Sequence, residues 1–380
     1  QMGLTTRDRQ PKEAFRAVQK RFSAAPYFLL PRYPRVSVVV ASYNGGRTLK
    51  ACLDSLARLR YPDYEVILVD DGSDDTTQQV AFTHPSVRYF RHEKNLGLSV
   101  ARNTGIAAAT GEIVAFTDSD CRADEDWLYY LVGDLLASDF AGIGGPNLLP
   151  PEDSLLAAAV MASPGGPAHV MLTDRQAEHI PGCNMAFYRG ALAQIGGFDP
   201  TFHQAGDDVD LCWRLQQAGL KIGFSPAAFV WHYRRSTVGA YLKQQRGYGE
   251  AEALLVRKHP ECFNSFGSSL WRGRIYSSST LSDLIRPPII YRGLFGSAGF
   301  QFVYASAPAF NLMLCTMLEY HVLVTLPLFV ISGILHLVLP MAITSLLLSA
   351  GACLTAGAQA SLPRMQRRWW SRPLVALLFF

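Results

Sequence analysis

Val36-Ser-Val-Val-Val-Ala-Ser-Tyr-Asn-Gly-Gly46 sets the reading of the whole chain. Its first five residues are dominated by β-branched valines without alternation, the composition of a strand buried on both faces. The run ends in a Ser-Tyr-Asn-Gly-Gly turn cluster. Leu49, Cys52, Leu53 and Leu56 then recur at helical spacing, with Thr48 placed to cap that helix. The pattern repeats downstream. Glu65-Val-Ile-Leu-Val69 reads as a second buried strand entering Asp70-Asp-Gly-Ser-Asp-Asp75, followed by a helix at 76–82 and a short strand at 87–90. A helix at 98–109 leads to Ile113-Val-Ala-Phe116, a strand that enters Asp118-Ser-Asp120. This alternation predicts an α/β domain on a mostly parallel, Rossmann-like sheet with helices on both faces. Ligands of such sheets bind beyond the carboxyl ends of the strands, so every acidic cluster is directed at one crevice.

Charge distribution divides the 380-residue chain further. From Gly293 to Pro363 the only Asp, Glu, Lys or Arg is Glu319, and the 39 residues from Val322 to Ala360 contain none. As one helix those residues would extend about 58 Å, roughly twice the hydrocarbon thickness of a bilayer, so a transmembrane hairpin turning near Pro340 is expected. Arg364-Met-Gln-Arg-Arg-Trp-Trp-Ser-Arg372 has the basic and aromatic character of a cytoplasmic interfacial loop. The reading is therefore a leader over 1–34, a catalytic domain over 35–260, a connecting segment over 261–320, a hairpin over 321–360, a basic loop over 361–373 and a further apolar segment from 374. It implies a multi-pass membrane protein with its soluble domain on the cytoplasmic side, as in a bacterial inner membrane. The opening at Gln1 and the end within an apolar run suggest a piece of a longer protein, and residues 7–21 lack the apolar region of a signal peptide. Seven cysteines without a Cys-x-x-Cys pair argue against a disulfide framework or zinc site. A formal charge of +4 with no dense basic tract in the soluble part gives no nucleic-acid footprint.

Four groups of residues carry candidate chemistry. Asp118 and Asp120 alternate at the end of a strand, so both carboxylates can meet one hard cation such as Mg²⁺ or Mn²⁺ bridging a diphosphate. Asp70 and Asp71 end the second strand, where a carboxylate can accept from a base or a ribose hydroxyl. Gly206-Asp-Asp-Val-Asp210 opens a helix, a position that favours carboxylates in any protein. Phe229-Val-Trp-His232 reads as a strand whose terminal histidine can complete a metal site, with Arg234 and Arg235 available to phosphate. Taken singly, each group is equally a solvated turn, a helix cap or a structural histidine.

Together they resemble the family 2 glycosyltransferases of the GT-A fold. The matching pieces are Val36 to Gly45, Val69-Asp-Asp-Gly-Ser73, Asn95-Leu-Gly-Leu-Ser-Val-Ala-Arg-Asn-Thr-Gly105, Thr117-Asp-Ser-Asp120, Gly182-Cys-Asn-Met-Ala-Phe187, Gly196-Gly-Phe-Asp199 and Asp207-Asp-Val-Asp210, in family order. The resemblance covers roughly residues 35 to 240. It implies an inverting glycosyltransferase that takes a nucleotide-sugar donor, UDP-linked by default, and a divalent metal. By position, Asp70 and Asp71 correspond to the nucleoside-binding pair. Ala41, Tyr43, Asn44, Arg102, Asp118 and Ser119 border the donor, and Asp118, Asp120 and His232 correspond to the metal ligands. Gly182, Cys183 and Asn184 fall on the acceptor side. The family's catalytic Glu-Asp pair is Asp207-Asp208 here, with Asp208 as base and Asp207 as its neighbour, a departure that leaves open which carboxylate reaches the acceptor.

Pro164-Gly-Gly-Pro-Ala-His-Val170, leading to Glu178-His-Ile-Pro-Gly-Cys-Asn184, is expected to wall the acceptor pocket, a saccharide or lipid-linked hydroxyl, with His169 and His179 near the crevice. Tyr248 or Trp271 is a candidate to stack on a sugar ring. Gln244-Gln-Arg-Gly-Tyr-Gly249 lacks the Gln-x-x-Arg-Trp motif usual in processive synthases, which points to one or a few transfers. A processive polysaccharide synthase, a nucleotidyltransferase and a non-catalytic membrane scaffold are the alternatives.

Overall fold

The computed structural model describes residues 4–6, 8–23, 29–163, 165–166, 168–264, 269–272, 274–275, 314–360, 362 and 368–379. Two compact units emerge, residues Gln1–Tyr33 and Pro34–Phe380. The first, expected only as a leader, holds helix α1 (Glu13–Ser23). All that follows belongs to the second.

Its strands are β1 (Val36–Ser42), β2 (Tyr64–Asp70), β3 (Val87–Arg91), β4 (Ile113–Asp118), β5 (Cys121–Ala123), β6 (Gly142–Gly144), β7 (Asn147–Leu148), β8 (Val170–Met171), β9 (Gln176–His179), β10 (Asn184–Tyr188), β11 (Ile222–Phe224), β12 (Val230–His232) and β13 (Arg274–Ile275). Between them run α2 (Gly46–Leu56), α3 (Thr77–Phe82), α4 (Leu98–Ala108), α5 (Trp127–Leu136), α6 (Leu155–Met161), α7 (Arg189–Ile195), α8 (Asp207–Gln217) and α9 (Val238–Lys258). Beyond them lie α10 (Leu326–Ser332), α11 (Leu339–Gln359) and α12 (Ser371–Phe379).

All seven residues of β1 are buried, as the valine run requires, because β1 pairs in parallel with both β2 and β4. Register then does the functional work: Ser42 lies opposite Asp70 and Ala41 opposite Asp118, which aligns the end of β1 with the acidic ends of β2 and β4 at one edge. Val39 and Ala41 point into a core shared with Ala101 of α4, Leu192 of α7 and Leu211 and Leu215 of α8. Val38 and Val40, on the other face, are equally inaccessible to water.

The expectation of a mostly parallel sheet holds only for its first half. The ten strands run in the order β13-β8-β9-β11-β6-β10-β4-β1-β2-β3, and β10 is antiparallel to both of its neighbours. Pairings β9 to β11, β8 to β9 and β8 to β13 are antiparallel too, so the sheet is mixed. A parallel neighbour needs a crossover, usually a helix. Past Asp118 the chain instead makes strands of two to five residues, too short to show periodicity in the sequence. A separate three-stranded sheet, β5-β12-β7, stands beside the main one.

Thr48 does not cap α2. The helix begins at Gly46, and its first amide is satisfied by Asp75 Oδ2 at 2.9 Å, reached from the loop after β2. Asn44 takes a left-handed φ of 53° in the same turn, and its Oδ1 accepts the Asp74 amide at 3.0 Å. The loops after β1 and β2 are thereby fastened together. A Cβ on Gly45 would fall 2.5 Å from Ser42 Oγ and 2.6 Å from Ser119 Oγ, so the turn also presses on the loop after β4.

In the apolar C-terminal region the turn falls at residues 333–335, not near Pro340. Pro340 instead occupies the first turn of α11, where a missing amide hydrogen costs nothing. Residues His336–Ala358 form the one described helix long and apolar enough to cross a membrane, whereas His321–Ser332 is shorter. Thr325 Oγ1 meets Ser345 Oγ at 2.8 Å and Ser349 Oγ meets His321 Nε2 at 3.1 Å, polar links between the two limbs. Leu323, Val330, Leu337, Leu347 and Leu354 face outward, uncovered. Most of the expected connecting segment and residues 363–367 of the basic loop lie outside the described residues.

Because Asp75 supplies the cap that Thr48 does not, Asp75→Ala is expected to lower unfolding free energy by about 1 kcal/mol in chemical denaturation. Thr48→Ala is expected to change it by less than half as much.

Candidate functional site

Arg102, on the second turn of α4, is 2% exposed and sits under the crevice. Its Nη1 donates to Asp207 Oδ2, and its Nη2 donates to Asp118 Oδ1 at 3.0 Å and to the Gly182 carbonyl at 3.1 Å. The guanidinium also lies 5.4 Å from the centroid of the Phe198 ring. One buried cation thus ties together the end of β4, the start of α8 and the turn before β10. The side chain expected beside the donor is therefore occupied by carboxylates of the protein itself.

Asp118 and Asp120 leave β4 with side chains 30% and 20% exposed. His232 reaches them from β12, which pairs with β5 so that His232 lies opposite Cys121. Its Nε2 is 3.3 Å from Asp120 Oδ1, and Arg235 Nη1 is 3.4 Å from Asp120 Oδ2. Ligand atoms of Asp118, Asp120 and His232 all lie within 4.8 Å of one another. Two carboxylate oxygens and one imidazole form a donor set suited to Mg²⁺ or Mn²⁺. Burial opposes charge on both partners, yet the pairing prevails: Asp120 is held at about 2 by His232 and Arg235, and His232 is pushed up to about 9 by Asp120.

Asp207 and Asp208 open α8 after Gly206, whose φ of 82° only glycine adopts readily. They point differently. Asp207 is 2% exposed and turned to Arg102, whereas the Asp208 side chain is 21% exposed. Asp208 Oδ2 accepts the Gly182 amide at 2.8 Å and stands 3.6 Å from His179 Nε2. His179 Nδ1 meets the Ala168 carbonyl at 2.9 Å, which leaves the buried Nε2 facing Asp208 without a hydrogen bond. Burial opposes charge on Asp208, but His179 and the Gly182 amide hold it below the usual carboxylate range. Asp210, the third acid of the motif, is fully buried between Lys258, His259 and Arg214 and ties α8 to the end of α9.

Several expected ligand-binding groups are turned inward. Asp70 accepts from the Ser73 amide at 2.8 Å and from Tyr89 Oη at 2.6 Å. Asp71 meets His92 Nδ1 at 2.7 Å and accepts the Leu96 and Gly97 amides at 2.9 and 2.8 Å. Both carboxylates therefore shape the loops around the crevice. Asn184 is fully buried, its amide bonded to the Trp127 indole and the carbonyls of Pro146 and Ala228, so it is a strut and not an acceptor contact. Gly182 holds Arg102 and Asp208 through its own peptide groups, and Cys183 is 3% exposed. Ala41 is buried, while Tyr43 and Asn44 are exposed at the rim and Ser119 is partly so. Trp271 packs 5.2 Å from Trp213 and 5.7 Å from His179, ring to ring. His169 stacks on Phe224 at 4.3 Å.

Cys121 and Cys183 have no sequence signal joining them, yet their sulfurs and a nitrogen of His232 lie within 4.8 Å of one another. The pairing of β10 with β4 and of β12 with β5 brings them together. Spacing along the chain could not reveal that.

Residues 37–196 match the family described as Glycosyl transferase family 2. Pre-mycofactocin glycosyltransferase of Mycobacterium tuberculosis is 31% identical over 241 residues, covering 61% of this chain and 49% of that protein. Poly-beta-1,6-N-acetyl-D-glucosamine synthase of Staphylococcus epidermidis is 26% identical over 218 residues, covering 55% and 52%. Among solved structures, a mannosyltransferase from Pyrobaculum calidifontis in complex with GDP-Man and Mn2+ aligns with a TM-score of 0.46 at 24% identity, covering 64% of this chain and 71% of that one. A mixed α/β, GT-A-like domain with acidic strand ends is the class that this fold and site define. The domain containing residues 37–196 belongs to glycosyl transferase family 2. The chain spans about half the length of the curated relatives it matches.

Two outcomes follow from this geometry. Arg102→Met leaves Asp118 and Asp207 without their shared cation and is expected to cost about 3–5 kcal/mol in chemical denaturation. Adding Asp207→Asn should recover part of that loss. In metal-free protein, the raised His232 pKa contributes stability that is complete below pH 6.5 and lost as pH rises towards 9. The stability difference between wild type and His232→Gln, followed by urea unfolding, should shrink across that window.

Proposed function

We propose that the protein is a glycosyltransferase that moves a sugar from a nucleotide-sugar donor, UDP-linked by default, to a hydroxyl of a saccharide or lipid-linked acceptor with inversion at the anomeric carbon. The observation that carries this reading is the placement of Asp208 and the Asp118 and Asp120 pair on two sides of buried Arg102. One end of that arrangement suits a diphosphate and the other a nucleophilic hydroxyl. The family of residues 37–196 supports transferase chemistry.

Asp208, the more accessible carboxylate of its pair, accepts the proton of the acceptor hydroxyl as that oxygen attacks. Asp207 stays with Arg102 and fixes the start of α8. The Gly182 amide orients Asp208, and with His179 nearby holds it ionised. Asp118, Asp120 and His232 would hold Mg²⁺ or Mn²⁺, which as a Lewis acid offsets charge on the leaving diphosphate. Arg235, 44% exposed and paired with Asp120, stands where its guanidinium can meet phosphate. Tyr43 and Asn44 at the rim are placed to border the nucleoside.

In this reading residues 35–260 are the catalytic domain, and the apolar C-terminal region anchors it at the cytoplasmic face of a membrane. Outward-facing leucines and valines on α10 and α11 support an anchor. A hairpin rather than one span rests on the two linked limbs.

Solubilised protein offered a panel of nucleotide sugars with Mn²⁺ should turn over one donor, and EDTA should stop it. Asp120→Asn and Asp208→Asn should each lower kcat by at least about 100-fold. A product that keeps the donor's anomeric configuration would overturn the inverting mechanism, and a long polymer from the full-length protein would favour processive synthesis.

A further inference from the structure

Behind the carboxylate cluster lies a second set of donors of opposite chemical character. Cys121 is 1% exposed and begins β5; Cys183 is 3% exposed and immediately precedes β10; His232 is 8% exposed and ends β12. The two sulfurs and an imidazole nitrogen lie within 4.8 Å of one another. In a tetrahedral zinc site with metal–sulfur bonds of about 2.3 Å, ligand atoms stand about 3.8 Å apart. Closing the difference takes no more than about 1 Å, a shift of side-chain torsions on a scaffold already in place. Cys121 and His232 are paired across β5 and β12, and Cys183 stands one residue before β10, which pairs with β4.

We infer that Cys121, Cys183 and His232 form a site for a thiophilic divalent cation such as Zn²⁺, separate from the carboxylate cluster but sharing its histidine. Thiolates select soft ions, whereas Asp118 and Asp120 offer hard oxygens. Binding converts both thiols to thiolates and releases their two protons to solvent, while the imidazole binds in its neutral form. A fourth position is left for water or for Asp120, whose Oδ1 lies 4.0 Å from Cys121 Sγ. A neutral imidazole has one nitrogen lone pair, because its other nitrogen carries the proton. His232 can therefore serve the sulfur site or the carboxylate site, not both at once. Zinc at the cysteines withdraws the histidine from the hard-ion site and weakens Mn²⁺ there. The competition, unlike the binding itself, rests on the reading of Asp118, Asp120 and His232 as a cation site.

The test uses the full chain in reduced, metal-free form. Co²⁺ as a probe should give thiolate-to-cobalt charge-transfer absorption at one equivalent, abolished by Cys121→Ala or Cys183→Ala and retained in Asp118→Asn. Zn²⁺ affinity should fall in each cysteine variant by at least the roughly tenfold that even an outer-sphere change costs a metal site. Zinc-edge X-ray absorption of loaded wild-type protein, which needs no variant, should show two sulfur neighbours at about 2.3 Å. Mn²⁺ binding followed by electron paramagnetic resonance should weaken on Zn²⁺ addition in wild type and not in the cysteine variants, whose own Mn²⁺ binding also reports that they are folded. Absorption that persists in both cysteine variants, or a zinc shell of nitrogen and oxygen alone, overturns the proposal. Sulfur coordination without effect on Mn²⁺ overturns the sharing of His232 and leaves the sulfur site standing.

Discussion

A guanidinium with almost no access to water is the constraint on which the rest of this site depends. Burying Arg102 removes several kcal/mol of hydration, which only close carboxylates and a carbonyl can offset. Asp118, Asp207 and the Gly182 carbonyl supply that compensation from three separate parts of the chain. Each partner also belongs to a different element: Asp118 to the end of β4, Asp207 to the helix that presents Asp208, and Gly182 to the turn whose amide bonds Asp208. One side chain thus links the end of β4, the start of α8 and the turn before β10. Planarity and several fixed donors suit arginine to this task, and lysine, a point charge, would not reproduce it.

Around that centre, many acidic residues of the motifs act as architecture. Asp70 and Asp71 accept backbone amides and fold the loops after β2 and before α4. Asp75 caps α2 from a distance, and Asp210 locks α8 to α9. A carboxylate has about four acceptor positions, so a residue that shapes a loop with two or three of them has little left for a ligand. Asp118, Asp120 and Asp208 keep side chains 20–30% exposed, and Arg102 bonds Asp118 and Asp207, the neighbour of Asp208.

His232 joins the hard donors of the crevice to the soft donors behind it. Its position follows from the small β5-β12-β7 sheet, whose strands of two or three residues are held by pairing alone. A short strand at such a junction fixes one side chain without adding a long edge to the molecule. The outcome is a histidine with Asp120 on one side and two cysteines near it.

Long buried strands were legible because continuous β-branched runs have few other stable uses: β1, β2 and β4, and the acidic residues that end β2 and β4, can be read from composition and spacing alone. Helix α2 was legible from its periodic apolar residues, and the apolar C-terminal region from its lack of charge. Local sequence carries no record of partners distant along the chain. That Arg102 is buried between Asp118 and Asp207, that Asn184 is a strut, that Asp75 and not Thr48 caps α2, and that Cys121 meets Cys183 all arise from strand register and loop contact. The antiparallel half of the sheet was hidden for a related reason, since strands of two to five residues are stabilised by neighbours instead of by their own pattern. Residue types and their order thus determined the fold's parallel core and the inventory of chemical groups. Tertiary structure alone decided which groups are available to a ligand, because desolvation and hydrogen-bond pairing depend on what surrounds a side chain and not on what precedes it.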